Sequence, residues 1–368
     1  MLIRTAIGIL WAVCAGIVVD VGEAGAQMTA RELYEAGCSS CHGSDGAGVE
    51  SGTSVAFTIP VPDFTDCTFA SREPDADWIA VAHAGGPVRA FDATMPAFGE
   101  AFSVEQLQAI MDYIRTFCGN DAWPRGELNL PRALVTEKAY PEDEAVTTVT
   151  VAAEGPGSVV NEIVYEKRFG PRNQIEIAVP FGVAETGTDG WSGGFGDISL
   201  GLKRAMWHSY ERGSIFSLGG EIVLPTGRES AGLGRGTTVF EPFAAFGQIV
   251  GGDGFIQLFG AVEIPANKDT GAETEGIWSA VVGWTFAQGE LGFGRVWTPM
   301  VEVLVARAFE DGASTAWDVV PQVQVSLNTR QHVLLNAGVR VPTDSARHTT
   351  VIVYILWDWF DGGLFDGW

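Results

Sequence analysis

The sequence predicts two domains of different fold class: an all-α domain over residues 27–120, then an antiparallel transmembrane β-barrel over residues 144–368. Apolar residues recur with a helical period of about 3.6 in the first region and with a strand period of 2 in the second. Between them, residues 121–143 contain three prolines and are expected to form an ordered connector. A chain of 368 residues is long enough for two such domains.

Residues 1–26 predict a signal peptide. Arg4 supplies the positive start, the apolar run from Ala6 to Val19 follows, and the small residues Ala24-Gly25-Ala26 form a cleavage site. The apolar run is too short for a comfortable membrane span. Cys14 lies inside this segment and is expected to be lost with it. Because a signal peptide directs secretion, we expect the mature protein to reach an oxidising compartment.

Helix-start patterns occur twice in the first domain. Thr29 with Glu32, and Ser103 with Gln106, have the spacing of capping boxes. A third helix is predicted from Asp75 to His83, ended by glycines and a proline. The apolar stripe of the last helix consists of Leu107, Ile110, Met111, Ile114 and Phe117.

A C-x-x-C-H motif stands at Cys38-Ser39-Ser40-Cys41-His42. This spacing places two thiols on one turn, where they can bond to the two vinyl groups of haem, and leaves His42 to ligate the iron. A zinc half-site or a redox dithiol shares the spacing. The motif occurs once, so we predict one covalent haem c held by Cys38 and Cys41.

Residues 27–120 resemble the class I c-type cytochromes. The resemblance is carried by the segment from Leu33-Tyr34 to His42, by Met95-Pro96-Ala97-Phe98-Gly99, and by the closing helix with Tyr113. It implies that Cys38 and Cys41 are thioether anchors, that His42 is the proximal iron ligand and that Met95 is the distal one. A terminal helix pair that crosses beside the haem edge is also implied.

Ligation by His42 and Met95 would fill both axial positions, which favours electron transfer over catalysis, and we expect no enzyme activity. Met95 could instead be a packing residue, and His83 is a competing ligand, although its position near a helix end suits a cation. Trp78 and Arg89 are candidates to bond the haem propionates.

Cys67 and Cys118 remain after the haem cysteines and the signal peptide are assigned. A disulfide between them would close a loop of about 50 residues and contribute roughly 4 kcal/mol. The alternative is a pair of buried free thiols.

The net charge of −24 argues against nucleic acid as a partner. The stretch from Gln27 to Asn120 contains no lysine and four arginines. Such an acidic redox domain favours basic periplasmic redox proteins as donor or acceptor, although acidity also serves solubility.

Alternating strands dominate the second domain, and we count about twelve, each long enough to cross a bilayer when tilted. Alternation alone fits either a soluble β-sandwich or a membrane barrel. Aromatic residues at strand ends and the terminal Trp368 favour a barrel in outer-membrane lipid. The clustered tryptophans are Trp191, Trp207, Trp278, Trp284, Trp297, Trp357 and Trp359.

Connections alternate in length, as outer-membrane barrels require. Long ones span Glu185–Phe195, Thr226–Thr237 and Lys268–Gly276, whereas Ser209–Ser214 and Gly251–Gly254 are tight. The long loops should face outward. With an even strand number, both termini and the haem domain should then lie in the periplasm.

The whole architecture resembles the fused cytochrome–porins that pass electrons across bacterial outer membranes, with a fuller haem domain and a smaller barrel. It implies electron transfer by a haem domain tethered to the outer membrane. The alternative is a solute pore or transporter that the haem domain gates or senses.

Overall fold

The structure is a computed structural model that describes residues 28–48, 61–186, 190–289 and 294–368. The predicted signal peptide, with Cys14, lies outside the described residues.

Five α-helices form the N-terminal domain within these ranges. They are α1 (Ala30–Gly37), α2 (Ser39–His42), α3 (Cys67–Ala70), α4 (Asp75–Ala84) and α5 (Val104–Arg115). Both predicted capping boxes are present, at Thr29 before α1 and at Ser103 before α5. The helix predicted from Asp75 is α4, and Gly85 ends it with a φ of 86°, which glycine adopts readily. In the described part of the chain, no helix has both the length and the apolar character needed to cross a bilayer.

Helices α1 and α5 pack against each other, as the cytochrome resemblance implies. Tyr34 on α1 is fully buried, and its ring centroid lies 5.4 Å from that of Tyr113 on α5. The predicted disulfide is confirmed: Cys67 and Cys118 are bonded, with their Cα atoms 5.2 Å apart. The buried core of this domain consists of Leu33, Tyr34, Phe64, Ile79, Ala82, Leu107, Ile110, Met111 and Ile114.

Fourteen β-strands are described after residue 143. They are β1 (Glu144–Ala152), β2 (Ser158–Phe169), β3 (Asn173–Glu185), β4 (Trp191–Phe195), β5 (Ile198–Ser209), β6 (Ser214–Leu224), β7 (Val239–Val250), β8 (Gly254–Pro265), β9 (Glu275–Trp284), β10 (Phe286–Ala287), β11 (Val296–Ala308), β12 (Ala316–Ser326), β13 (Val333–Pro342) and β14 (Thr350–Asp358). Short 3₁₀ turns lie at Gly86–Arg89, Gly126–Leu128, Glu229–Ala231 and Lys268–Thr270.

The strands close into one antiparallel ring of twelve. β1 pairs with β14, for example Val149 opposite Val353, and β9 pairs with β11, for example Ala280 opposite Val303. β4 and β10 are short additions that pair with β3 and β11. The predicted strand number of about 12 is therefore confirmed, and the closed ring leaves no free sheet edge.

The polarity of the wall identifies an outer-membrane barrel. Outward side chains are apolar and exposed, such as Leu202 at 55 % and Val282 at 60 %. Inward side chains on the same two strands are polar and buried: Lys203 is 2 % exposed and Ser279 is 8 % exposed. A β-sandwich would have the opposite arrangement, so the sandwich alternative is wrong.

Short turns and long loops lie at opposite ends of the barrel. Residues 210–213 and 251–253 are tight turns at the end where β1 begins and β14 finishes. Residues 225–238 and 266–274 are long connections at the other end. These connections confirm the predicted alternation of loop lengths, with one exception: residues 285–295, between β9 and β11, are a longer connection at the short-turn end.

The predicted connector lies inside the barrel. Residues 128–143, here called the plug, enter the lumen from the end with the short turns and return to it at the start of β1. The backbone N–H of Val135 donates to Glu302 at 3.1 Å, and Gln257 donates to the carbonyl of Pro131 at 2.8 Å. The lumen is thus occupied by the chain itself.

The helical domain docks on the same end of the barrel and lies outside the lumen. Arg72 forms an ion pair with Asp143 at the base of the plug and lies 3.9 Å above the ring of Phe360. At the β2–β3 turn, Arg172 donates to the carbonyl of Ala122 at 3.0 Å. These contacts hold the domain against the rim.

Candidate haem site

The C-x-x-C-H motif forms a single helical turn. Cys38 precedes α2, and its carbonyl accepts from the N–H of Cys41 at 3.1 Å and of His42 at 2.9 Å. The two cysteines are three positions apart and therefore lie on one face of the turn. Both thiols are free of disulfide bonds and partly buried.

Met95 lies on a loop that packs back on the end of α4. The N–H of Gly86 donates to the Met95 carbonyl at 3.0 Å, and the N–H of Phe98 donates to the Ala82 carbonyl at 2.9 Å. Gly86 permits this approach, because a side chain there would collide with the backbone of Asp92. The loop thereby fixes Met95 beside the domain core.

One cavity of about 680 Å³ brings the four predicted residues together: Cys38, Cys41, His42 and Met95 all line it. This volume lies within the range of about 300–1,000 Å³ that is usual for cofactor sites. Most of the remaining wall is apolar, with contributions from Phe64, Trp78, Val81, Phe98, Phe102, Leu107, Ile110 and Ile114. A large planar apolar group with polar edges fits this lining.

The electrostatics of the motif favour a neutral imidazole ligand. Burial lowers the pKa of His42 to about 4, against a smaller opposing effect of the Pro62 carbonyl, so the ring is neutral at pH 7. Its Nδ1 atom is buried and has no hydrogen-bond partner among the described residues. A neutral imidazole is the form that ligates a metal.

The chemistry of the cavity disfavours the other two uses of the motif. Burial raises the pKa of the Cys38 thiol to about 11, whereas redox dithiols have a depressed pKa. In the described lining, the metal-binding sulfur and nitrogen side chains besides Cys38, Cys41 and His42 are thioethers, not the thiolates or imidazoles that complete a zinc site. The residues present therefore fit a haem.

The cavity lining separates the competing iron ligand, His83, from the two propionate candidates, Trp78 and Arg89. His83 is not part of the described cavity lining, and its ring lies against Gly99. Trp78 and Arg89 both line the cavity, and Arg89 is 3 % exposed and donates to Asp77 at 3.0 Å.

The barrel supplies part of the cavity wall, which the sequence did not indicate. Arg330 and Gln331 from the β12–β13 turn, and Phe360 and Asp361 after β14, line the same cavity. Only the docking of two distant parts of the chain brings these residues to the haem site.

A second cluster missed from the sequence holds the plug in the lumen. Arg132 on the plug forms ion pairs with Glu144 at 2.8 Å and with Glu166 at 2.7 Å, and Lys203 on β5 pairs with Glu137. One signal was available: charged residues facing a lumen require partners, and the supposed connector is itself rich in both signs of charge.

Three solved structures illustrate the similarity of the barrel to known proteins. An outer membrane channel from Pseudomonas putida F1 is 13% identical, with a TM-score of 0.45, over 62% of this chain and 99% of that one. KdgM porin is 10% identical, with a TM-score of 0.38, over 59% and 99%. LpxR from Salmonella typhimurium is 8% identical, with a TM-score of 0.38, over 59% and 100%. No curated protein matches the sequence.

Two families match separate parts of the chain. Residues 25–114 match the family described as "Cytochrome C oxidase, cbb3-type, subunit III", which implies haem c binding by a c-type cytochrome domain. Residues 142–350 match the family described as "Putative MetA-pathway of phenol degradation". The second match covers more than half of the 368 residues, so the chain belongs to that family and carries a c-type cytochrome domain before its barrel.

Proposed function

We propose that this protein is a single-electron carrier whose one haem c is bound covalently and held at the periplasmic face of the outer membrane by the barrel. The observation that carries the proposal is the shared cavity of Cys38, Cys41, His42 and Met95. When bound, haem c supplies a one-electron iron centre.

The chain's own residues have defined tasks in this proposal. Cys38 and Cys41 would hold the haem through thioether bonds, and His42 and Met95 would ligate its iron. The apolar wall excludes water, and a neutral thioether opposite a histidine favours the ferrous state. With both axial positions filled, no site is open for a substrate, so the protein is proposed not to be an enzyme.

The partners follow from charge and position. The helical domain lacks lysine from Gln27 to Asn120 and should attract basic redox proteins of the periplasm. The apolar barrel wall contacts outer-membrane lipid. Phosphate-rich partners such as nucleic acid do not fit a chain of net charge −24.

Mass spectrometry of the mature protein tests covalent attachment. The expected mass is that of the polypeptide plus one haem, and Cys38→Ala or Cys41→Ala should remove one of the two links. Ser40→Ala, a change in the same turn that keeps both sulfurs, is the matched control and should retain the full mass. A mass of bare polypeptide for the wild type overturns the proposal.

A gated pore or transporter is the second candidate, and the plug favours it. The plug is held by noncovalent contacts, and Asp143 at its base pairs with Arg72 of the haem domain. Planar bilayers discriminate between the two functions. Conductance that changes with the oxidation state of the haem supports gating, whereas a barrel that stays closed in both states supports the tethered carrier.

A further inference from the structure

We propose that Arg330, a residue of the barrel, binds a propionate of the haem, so that the cofactor site belongs jointly to both domains. This inference rests on the proposed binding of haem c and adds a ligand-binding residue that lies 288 positions after His42 in the sequence.

Arg330 reaches the cavity from the turn between β12 and β13. Its Nη2 donates to the carbonyl of Ala90 at 2.8 Å, and its guanidinium carbon lies 4.8 Å from the ring centroid of Phe91. Its Nη1 donates to the carbonyl of Asp361 at 3.3 Å. The side chain is therefore fixed between the haem domain and the C-terminal segment of the barrel.

The guanidinium also retains capacity for a ligand. The Nε atom of Arg330 is buried and makes no hydrogen bond within the described residues, although the side chain lines the cavity. A buried N–H without a partner is destabilising, so a ligand oxygen at this place would be stabilising.

The charge of the cavity shows why this arginine matters. Counted over the described lining, four carboxyl side chains and two arginines face the space. Arg89 already donates to Asp77 at 3.0 Å, whereas the carboxylate beside Arg330 is that of the exposed Asp366, at a longer distance of 3.6 Å. Without Arg330, a haem propionate placed there would find Arg89, which is already paired, as the one remaining arginine of the described lining. Arginine binds carboxylates through charge-assisted hydrogen bonds and cannot lose its charge in a protein.

The reduction potential of the full-length protein provides the first test. A positive charge beside the haem favours the reduced state, so Arg330→Gln should lower the midpoint potential, and Arg330→Lys, which keeps the charge, should lower it less. Arg212→Gln, on the exposed β5–β6 turn at the same end of the barrel, is the control and should leave the potential unchanged.

Stability separates a propionate ligand from a purely structural contact. If Arg330 only joins the two domains through Ala90, Arg330→Gln lowers the melting temperature of the domain equally with and without haem, and leaves the potential unchanged. If it binds a propionate, the loss is larger in the haem-loaded protein than in a Cys38→Ser/Cys41→Ser variant. Equal losses together with an unchanged potential overturn this inference while leaving the proposed function intact. A wild type without haem overturns the proposed function itself.

Discussion

At the scale of single residues, the candidate haem site consists of Cys38, Cys41, His42 and Met95 from the helical domain, with Arg330 added from the barrel. The C-x-x-C-H spacing predicts one helical turn, and Cys38, Cys41 and His42 form that turn at the wall of the cavity. The M-P-x-F segment predicts a second ligand, and Met95 lines the same cavity. Arg330 was not predictable, because its position depends on how the domain docks rather than on any local pattern.

Replacing Met95 tests the distal ligand. Met95→Ala should lower the reduction potential and allow exogenous ligands such as cyanide or imidazole to bind the iron, because the soft thioether is lost. Redox titration and ligand-binding spectra measure both effects. Met111→Leu is the matched control, since Met111 also lines the cavity but lies on the α5 stripe, and it should leave both unchanged. Normal redox behaviour of Met95→Ala would reject the assignment.

A carboxyl pair at the domain boundary predicts a pH dependence. Glu73 and Asp361 share a hydrogen bond, and burial raises the pKa of Glu73 to about 7. Between pH of about 4.5 and 7 the folded protein then holds a proton that the unfolded chain releases. The free energy of unfolding should therefore fall as pH rises through this window, by on the order of 3 kcal/mol.

Denaturant unfolding in detergent between pH 4 and 8, followed by tryptophan fluorescence, measures this dependence. The double variant Glu73→Gln/Asp361→Asn should flatten the profile across the window, because burial raises the pKa of both carboxyls and neither amide titrates. Glu100→Gln, an exposed site in the same domain, should reproduce the wild-type slope. A wild-type stability that rises between pH 5 and 7 would contradict the role given to this pair.

At the scale of elements, periodicity predicted the helices and strands well, and it failed for the plug. Helices α1, α4 and α5 carry caps and stripes that specify them locally, and the strands alternate because one face meets lipid and the other the lumen. The plug has neither period. Its conformation depends on hydrogen bonds to six or more strands, which local sequence does not encode, so its place in the lumen was missed.

Loosening the plug should open the barrel. Arg132→Ala removes the ion-pair partner of the buried Glu166 and leaves Glu144 with Lys138 alone, a loss of about 3–5 kcal/mol for a broken buried pair. Open-channel events in planar bilayers should therefore become more frequent than in the wild type. Arg307→Ala, at an exposed position on β11, serves as the control and should show no more open-channel events than the wild type. If neither variant showed more open-channel events than the wild type, the position of the plug would not depend on this ion-pair cluster.

At the scale of the whole molecule, an even ring of strands places the helical domain and the short turns at one end, and the long loops at the other. Strand count and loop alternation were both readable from the sequence. The docking of the helical domain was not, because its contacts join single residues from several turns with the C-terminal segment. Arg72 over Phe360 and Arg125 over Tyr210 are examples.

Labelling of intact cells checks the proposed orientation. A membrane-impermeant maleimide should modify Lys268→Cys, on a long loop, and should not modify Arg212→Cys, on a short turn, until the outer membrane is permeabilised. Both positions are exposed, so accessibility of the side chain itself does not separate them. The reverse pattern would place the haem domain outside the cell.

The plug enters and leaves through the same rim, and the helical domain is docked on that rim. Residues 128–143 are continuous with that domain on one side and with β1 on the other, so they cannot slide out through the far end. The plug can therefore leave the lumen only toward the rim on which the helical domain is docked. We therefore expect any event that clears the lumen of an intact barrel to move the helices that are docked on that rim, so that undocking and unblocking are coupled.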